Sequence, residues 1–335
     1  MRVFLTGGTG LVGSHCAELL RARGDEVCAL VRSRSDRSHL LALGCHVVDG
    51  DVTASRATLA KSVRDCDALV HAAALVGRRA KREAYLDANV AGTAAVLGAA
   101  ADAGVSRAVH VSSVAVYGAL HGNITEERWQ ERTIHPRAYY AGSKRAAEVE
   151  AWKHDGVNGM RVTTVRPALI YGERDRHVTR RIDRAVRMPV LPLPDGGCHV
   201  PPLVYAGNVA AGILLALDAP ESAGRAYNLA QDNATPLRDL IRLWCRLRNR
   251  RPPLMPGVPA GLIVAGAVGV DALSGVVPGL DLPGLTRPAR LLRVDNPYDS
   301  SRARKELNWD PIPLPEALER TAAWLERAGQ TRDEP

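Results

Sequence analysis

Aromatic residues make up only 4% of this chain of 335 residues, and a single phenylalanine, Phe4, is among them. Any core must therefore be built mainly from Ala, Val and Leu. Cysteine occurs six times (Cys16, Cys28, Cys45, Cys66, Cys198, Cys245) but never as a C-x-x-C pair. That scatter speaks against a disulfide framework and a zinc site, and fits a reducing, cytoplasmic compartment. No apolar tract reaches the ~20 residues that a membrane-spanning helix needs. The longest runs over 258–270 and stops at Asp271; it reads as a helical cover over a pocket, with peripheral membrane contact left open. No basic run is interleaved with aromatics, which argues against nucleic acid. Residue 1 leads straight into an apolar strand, so no room is left for a signal peptide.

What is present is ordinary for a globular chain: 46% hydrophobic and 24% charged residues. The length accommodates one large or two modest domains. An arginine excess gives a formal net charge of +8. A solvated surface accounts for most of it, with an acidic substrate or cofactor next.

The informative stretch is Val3 to Gly13, Val-Phe-Leu-Thr-Gly-Gly-Thr-Gly-Leu-Val-Gly. Val3, Phe4 and Leu5 form the apolar run of a buried parallel strand. The chain then turns through Gly7, Gly8 and Gly10 into a helical pattern running from Leu11 to about Arg23. One glycine permits a tight turn, one lets the backbone approach a pyrophosphate, and one packs the helix close on the strand. The free N–H groups and dipole of the helix start suit phosphates. Gly7, Thr9, Gly10, Leu11, Val12 and Gly13 are therefore the candidate dinucleotide contacts.

Val27 to Val31 reads as a second strand. An acidic residue at its end would bond the ribose 2′-OH of NAD, but Val31 stands there, followed by Arg32, Ser33 and Arg34. A guanidinium pairs with a 2′-phosphate, by ~1.5–3 kcal/mol for a charge-assisted bond. With Arg32 and Ser33 as its contacts, NADP(H) is the expected cofactor; a solvated loop arginine is the plain alternative. Asp51, at the end of a third strand, is placed to accept from an adenine amino group. A fourth strand ends in His71-Ala72-Ala73-Ala74, whose small side chains admit a cofactor, while His71 reads as packed. A helix is expected over Tyr85 to Ala103, with Asn89 needing a buried partner. A fifth strand, Ala108 to Val111, runs into Ser112-Ser113. Five alternations before residue 150 predict an α/β fold: a Rossmann doubly wound parallel sheet with right-handed crossovers.

Tyr140 and Lys144 are four residues apart, which places them on one helix face. An ammonium beside a phenol favours the phenolate, and lowering that pKa by ~3 pH units from ~10 asks for ~4 kcal/mol. Tyr139 falls on another face. Any Tyr-x-x-x-Lys taken alone is a solvated pair. Here the glycine turn, the strand-end serine and their chain order support catalysis.

The chain resembles the extended short-chain dehydrogenase/reductases. The resemblance rests on Thr6-Gly-Gly-Thr-Gly-Leu-Val-Gly13, His71-Ala-Ala-Ala74, Asn89-Val-Ala-Gly-Thr93, Ser112-Ser113 with Tyr117-Gly118, Tyr140-x-x-x-Lys144, Arg166-Pro-Ala-Leu-Ile-Tyr-Gly172 and a closing 301–311 segment. It implies that Tyr140 is the acid/base and that Lys144 lowers its pKa and bonds the nicotinamide ribose. By the same resemblance Ser113 bonds the substrate oxygen, and Asn89 supports the active-site backbone and a relay water. Asp51 and Val52 would hold adenine, Ala72, Ala73 and Ala74 would flank the cofactor, and Pro167 would line the nicotinamide. Val-Arg after the second strand and Tyr205-Ala-Gly-Asn208 look like the dihydroflavonol-reductase and 3β-hydroxysteroid-dehydrogenase-like branch. Val114 after Ser113, and Arg293-Val-Asp-Asn296, depart from the sugar-nucleotide branch.

An NADP-binding domain is expected over 1–172, with returning strands near 203–230, and a smaller C-terminal substrate-binding portion over 173–330. The stretch 174–187 carries six arginines (174, 176, 180, 181, 184, 187) against three acids. It reads as a solvated basic helix or, more sharply, as a clamp for an anionic tail or a dock for an acidic carrier protein. Pro236 to Arg248 is an amphipathic helix with Trp244 in the core. The Pro/Gly-punctuated apolar tract 252–288 suggests a mobile lid and an apolar small-molecule substrate. The expected activity is NADPH-dependent reduction of a ketone, or the reverse oxidation, with no metal and with a homodimer left open. The alternatives are an NAD-retaining sugar-nucleotide epimerase or dehydratase, and a non-catalytic NADP-binding regulator.

Overall fold

Strands β1 (Arg2–Thr6), β2 (Glu26–Val31), β3 (His46–Asp49), β4 (Ala68–His71), β5 (Arg107–Val111) and β6 (Arg161–Pro167) are followed by β7 (Leu169–Tyr171), β8 (Leu193–Pro194), β9 (Leu203–Tyr205), β10 (Ala226–Leu229) and β11 (Gly257–Val258). The helices, in chain order, are α1 (Leu11–Ala22), α2 (Ser38–Ala42), α3 (Arg56–Val63), α4 (Arg82–Tyr85), α5 (Gly92–Asp102), α6 (Tyr139–Trp152), α7 (Val178–Ala185), α8 (Ala206–Asp218), α9 (Leu237–Leu247) and α10 (Ala260–Val276), with further helices at Ser301–Leu307 and Leu314–Gln330. This computed structural model describes every residue except 78–79, 119–121, 176, 231–234, 277–294 and 331–335, and for 271–276 and 329–330 the backbone alone. Arg176 and the end of the 252–288 tract thus lie outside the described residues.

The chain divides into two compact units. The first comprises Met1–Ala168, Ala206–Ala230 and Tyr298–Pro311; the second comprises Leu169–Tyr205, Gln231–Pro297 and Ile312–Pro335. The first unit is the Rossmann fold. Its seven-stranded sheet has the order β10-β6-β5-β4-β1-β2-β3, and every pair is parallel. Apolar side chains project from both faces of the inner strands, which is why Val3, Phe4 and Leu5 are consecutive and all buried. Leu59 and Val63 of α3 and Val96 and Leu97 of α5 close on Phe4, Leu30 and Leu69, each worth about 1.5–3 kcal/mol of burial.

The helix expected over residues 85–103 is interrupted: a π-helical segment, Leu86–Ala91, separates α4 from α5. Just past it, the Thr93 hydroxyl donates to the Asn89 carbonyl at 2.6 Å, a back-bond of the kind that bends helices. Such π-helical segments recur at functional sites.

In the second unit, α9 buries Leu237, Leu240, Ile241, Trp244 and Cys245 on one face. They pack with Tyr171, Leu193, Leu203 and Leu318, so Trp244 is a core residue. Among the described residues no helix is long and apolar enough to cross a membrane.

The glycine turn is held by contact with backbone. Gly7 has φ +75°, and a Cβ there would meet the Ala72 carbonyl carbon and the Ala73 nitrogen at 2.6 Å. A Cβ on Gly13 would lie 2.2 Å from the Gly7 carbonyl oxygen. Helix propensity alone would favour alanine at Gly13 by about 1 kcal/mol. Overlap with a backbone carbonyl that cannot rotate away reverses the sign, at about 1–3 kcal/mol. Gly13→Ala is therefore expected to lower the stability measured by urea unfolding; an unchanged or raised midpoint would contradict this packing.

Candidate active site

The glycine turn lies where β1 meets α1. Gly10 begins the helix, its N–H donating to the Gly7 carbonyl at 2.9 Å. No side chain caps that helix start, and no acid occupies its first turn. The N–H groups of Leu11, Val12 and Gly13 thus begin a helix with a positive end and no carboxylate, beside exposed Thr9. This is a cradle suited to a pyrophosphate.

At the end of β2, Arg32, Ser33 and Arg34 are exposed. Arg37 is engaged, its guanidinium bonding the Asp49 carboxylate at 2.6 Å. Arg32 and Arg34 make no ion pair among the described residues. Asp51 accepts from the N–H and hydroxyl of Thr53 at 2.9 and 2.8 Å. Val52 packs against Gly92, where a Cβ would sit 3.1 Å from its Cγ2.

A directed chain of hydrogen bonds runs under this edge. The Ala73 N–H donates to the Thr6 hydroxyl at 3.3 Å, and Thr6 in turn bonds His71 Nδ1 at 2.8 Å. His71 Nε2 bonds the Thr93 hydroxyl at 2.9 Å, which donates onward to Asn89. Because Thr93 donates to a carbonyl, it must accept from His71, which assigns the proton to Nε2 and makes Nδ1 the acceptor. Burial, reinforced by the Lys144 charge, pushes the His71 pKa down to about 3. His71 is thus neutral and structural.

The Asn89 amide takes up both backbone groups of Leu75, accepting from its N–H at 2.6 Å and donating to its carbonyl at 3.2 Å. It also donates to Ser143 at 2.9 Å, and Ser143 donates to the Tyr140 carbonyl at 2.9 Å. The 72–75 backbone is therefore pinned through Thr6 at one end and Asn89 at the other, with Ala74 exposed between.

Helix α6 turns Ala141, Ser143, Lys144, Ala147, Glu148 and Ala151 inward. Tyr139 is exposed, whereas the Tyr140 ring stands edge-on to Tyr85, with centroids 6.5 Å apart. Lys144 is 2% exposed, and its Nζ donates to the Val111 carbonyl at 2.7 Å. Arg145 bonds the Val116 carbonyl. These two anchors tie α6 to the segment that contains Ser113. The Ser113 Oγ accepts from the Ala115 N–H at 3.2 Å, which leaves its proton available to donate. Ser112 donates to Glu148 at 2.7 Å instead. Pro167 is buried at the end of β6, opposite Leu229.

Sequence reasoning missed a buried polar cluster behind this site. Glu148 pairs with Arg166, and Arg166 donates to the Tyr117 hydroxyl and the Glu126 carbonyl, both at 2.9 Å. Tyr117 donates to Asn228 at 2.5 Å. The signals were a carboxylate one turn past Lys144 on the buried face and an arginine inside an apolar strand; neither can be buried unpaired.

Residues 3–230 match the NAD dependent epimerase/dehydratase family. The chain belongs to that family. It is 32% identical to the 4-hydroxy-2-methyl-3-oxo-4-farnesyl-3,4-dihydroquinoline-1-oxide ketoreductase of Stigmatella aurantiaca over 92% of each chain. It is 28% identical to sterol demethylase protein B of Methylococcus capsulatus over 98% of this chain and 99% of that one. Among solved structures, DesIV, a dTDP-glucose 4,6-dehydratase of Streptomyces venezuelae crystallised with NAD, superimposes with a TM-score of 0.75 at 26% identity, covering 100% of this chain and 99% of DesIV. This member of the epimerase/dehydratase family is accordingly an enzyme of nicotinamide-dependent type with a Rossmann fold.

Burial pushes the Lys144 ammonium down from 10.5 to about 8, against the attraction of Glu148. The unfolded chain keeps this proton up to 10.5 but the folded chain only to about 8, so stability rises with pH across that window. Below it the folded protein carries the full cost of the buried charge, about 3 kcal/mol. The cofactor-free protein should gain that amount between the two pH values, whereas Lys144→Met should lack this gain. Urea unfolding of both proteins at a series of pH values checks it; parallel stability curves would contradict it.

Proposed function

We propose that this protein is an NADPH-dependent reductase of ketones on mostly apolar small molecules, or catalyses the reverse alcohol oxidation. The observation that carries the reading is the turn at Ser113. Its hydroxyl has a proton to donate, and the next residues, Val114 and Ala115, are buried and apolar. The turn thus offers a donor to a carbonyl oxygen but no carboxylate to remove water from a sugar. The farnesyl group in the name of the Stigmatella ketoreductase supports an apolar substrate.

When bound, the nicotinamide supplies the hydride. The chain's residues do the rest. The glycine turn with Leu11, Val12 and Gly13 holds the pyrophosphate, Arg32 and Ser33 hold the 2′-phosphate, and Asp51 and Val52 flank the adenine. Ala72, Ala73, Ala74 and Pro167 leave room beside the rings. Ser113 orients the substrate oxygen. Tyr140 delivers a proton to that oxygen in reduction and removes it in oxidation, and the Lys144 charge one turn away stabilises the phenolate left behind. Asn89 holds the Leu75 backbone and the Tyr140 turn in register.

The likeness to DesIV favours a second reading, a sugar-nucleotide epimerase or dehydratase that retains NAD. Assays of the purified protein with ketones and either reduced cofactor separate the two. The reductase reading predicts net loss of NADPH absorbance with an apolar ketone. Tightly held NAD and no net consumption with any ketone would favour the other. Tyr140→Phe should bind cofactor nearly as wild type and turn over at least ~10²-fold more slowly; undiminished turnover would remove Tyr140 from its role. Arg32→Ala should weaken NADPH by roughly 10- to 150-fold and NADH little. Equal weakening of both, in fluorescence titrations, would rule out the 2′-phosphate contact.

A further inference from the structure

Large apolar side chains are exposed in one connected part of the second unit: Met188 (49%), Val190 (40%), Leu254 (69%), Leu262 (66%) and Val268 (44%). Val190 bridges to Leu254. The Leu254 N–H donates to Pro189 at 3.0 Å, and the Leu191 N–H donates to Leu254 at 2.8 Å. The pairing continues through β8 and β11. Helix α10 opens at the end of this ribbon, with its Ala260 N–H on the Asp195 carboxylate at 2.9 Å. Ribbon and helix are thus successive pieces of one substructure.

The outer side of a water-facing helix is normally polar. Here Ala260 and Ala267 are buried, while Gly261, Leu262, Ala265, Gly266, Val268 and Gly269 are exposed. No charged residue occurs from Ala260 to Val270. A Cβ on Gly261, Gly266 or Gly269 would meet nothing within 4 Å.

Positive charge flanks this face. Arg184 and Arg187 lead into Met188, Arg250 and Arg251 lead into Leu254, and Arg184, Arg187 and Arg251 are exposed. The acid among them, Asp183, is buried and pairs with Arg187, Arg248 and Arg250. Asp195, on the other side, caps α10 and faces His199 at 3.6 Å.

We propose that α10 and the 188–194/254–258 ribbon dock this protein on the surface of an anionic lipid bilayer. The apolar side chains enter the acyl boundary, and the arginines meet the headgroups. The 17-residue helix lies along the interface rather than spanning it. A second copy of the chain fits the face less well. Protein hot spots are built on Trp, Tyr and Arg, and the exposed side of α10 over 261–270 has none of them.

The test is co-sedimentation of the full-length protein with phosphatidylcholine vesicles, with and without phosphatidylglycerol. Partitioning should be stronger by on the order of 10²-fold on the anionic vesicles, for three exposed arginines, and should fall with added salt. Leu262→Glu with Val268→Glu should lower it at least ~10-fold. Arg184→Ser with Arg251→Ser should cut the anionic preference from ~10²-fold to ~5-fold, the share of the one exposed arginine left, while leaving the melting temperature unchanged. No partitioning, or equal partitioning on both vesicles, overturns the proposal. So does a dimer in sedimentation equilibrium that the Leu262→Glu pair dissociates while vesicle binding stays unchanged, because that outcome assigns the face to a second copy.

Discussion

A wholly buried lysine whose Nζ bonds the carbonyl at the end of β5 is the interaction on which the rest of the site depends. An isolated charge at such depth is disfavoured by several kcal/mol. It survives here because Glu148 lies one turn further along the same buried face and attracts it. Glu148 is in turn held by Ser112 and Arg166. The ammonium also suppresses protonation of His71 and His110, which burial already opposes. Burial first, and this charge second, keep both rings unprotonated.

The same economy of placement orders the cofactor edge. Gly7 must approach the 72–73 backbone, and that backbone is fixed in position by Thr6 through the His71–Thr93 chain and by Asn89. Asn89 reaches Leu75 and Ser143 from a π-helical segment. The irregular helix, the polar strand ends and the glycine turn are therefore parts of one hydrogen-bonded assembly. Since most of these groups are buried, loss of a single member would leave its partners unsatisfied.

Much of this was legible in the sequence, and the reason differs from place to place. The glycine turn was readable because its steric requirement is local: strand, turn and helix lie within residues 2–22. Tyr140 and Lys144 were readable because helical spacing alone puts them on one face. The sheet followed from five strand–helix alternations, and the amphipathic stripe of α9 placed Trp244 in the core. The cluster of Tyr117, Glu148, Arg166 and Asn228 was not readable. Glu148 and Arg166 each called for a buried partner, but the members lie as far apart as residues 117 and 228, and spacing along the chain cannot pair them. The π-helical segment was hidden as well, because apolar periodicity over one turn does not tell i→i+5 bonding from i→i+4. The choice of Ser113 over Ser112 rested on the resemblance alone, and the structure adds that Glu148 takes the proton of Ser112.

The central claim is that the Tyr140 phenol oxygen faces the reacting carbon beside the buried Lys144 amine. A crystal structure of the protein with NADP and a ketone or alcohol ligand tests it most directly. The account predicts the Tyr140 hydroxyl and the Ser113 hydroxyl both within hydrogen-bond distance of the ligand oxygen, with Lys144 Nζ at the nicotinamide ribose. A Tyr140 hydroxyl turned away from the ligand, or a nicotinamide bound away from Lys144, would contradict it.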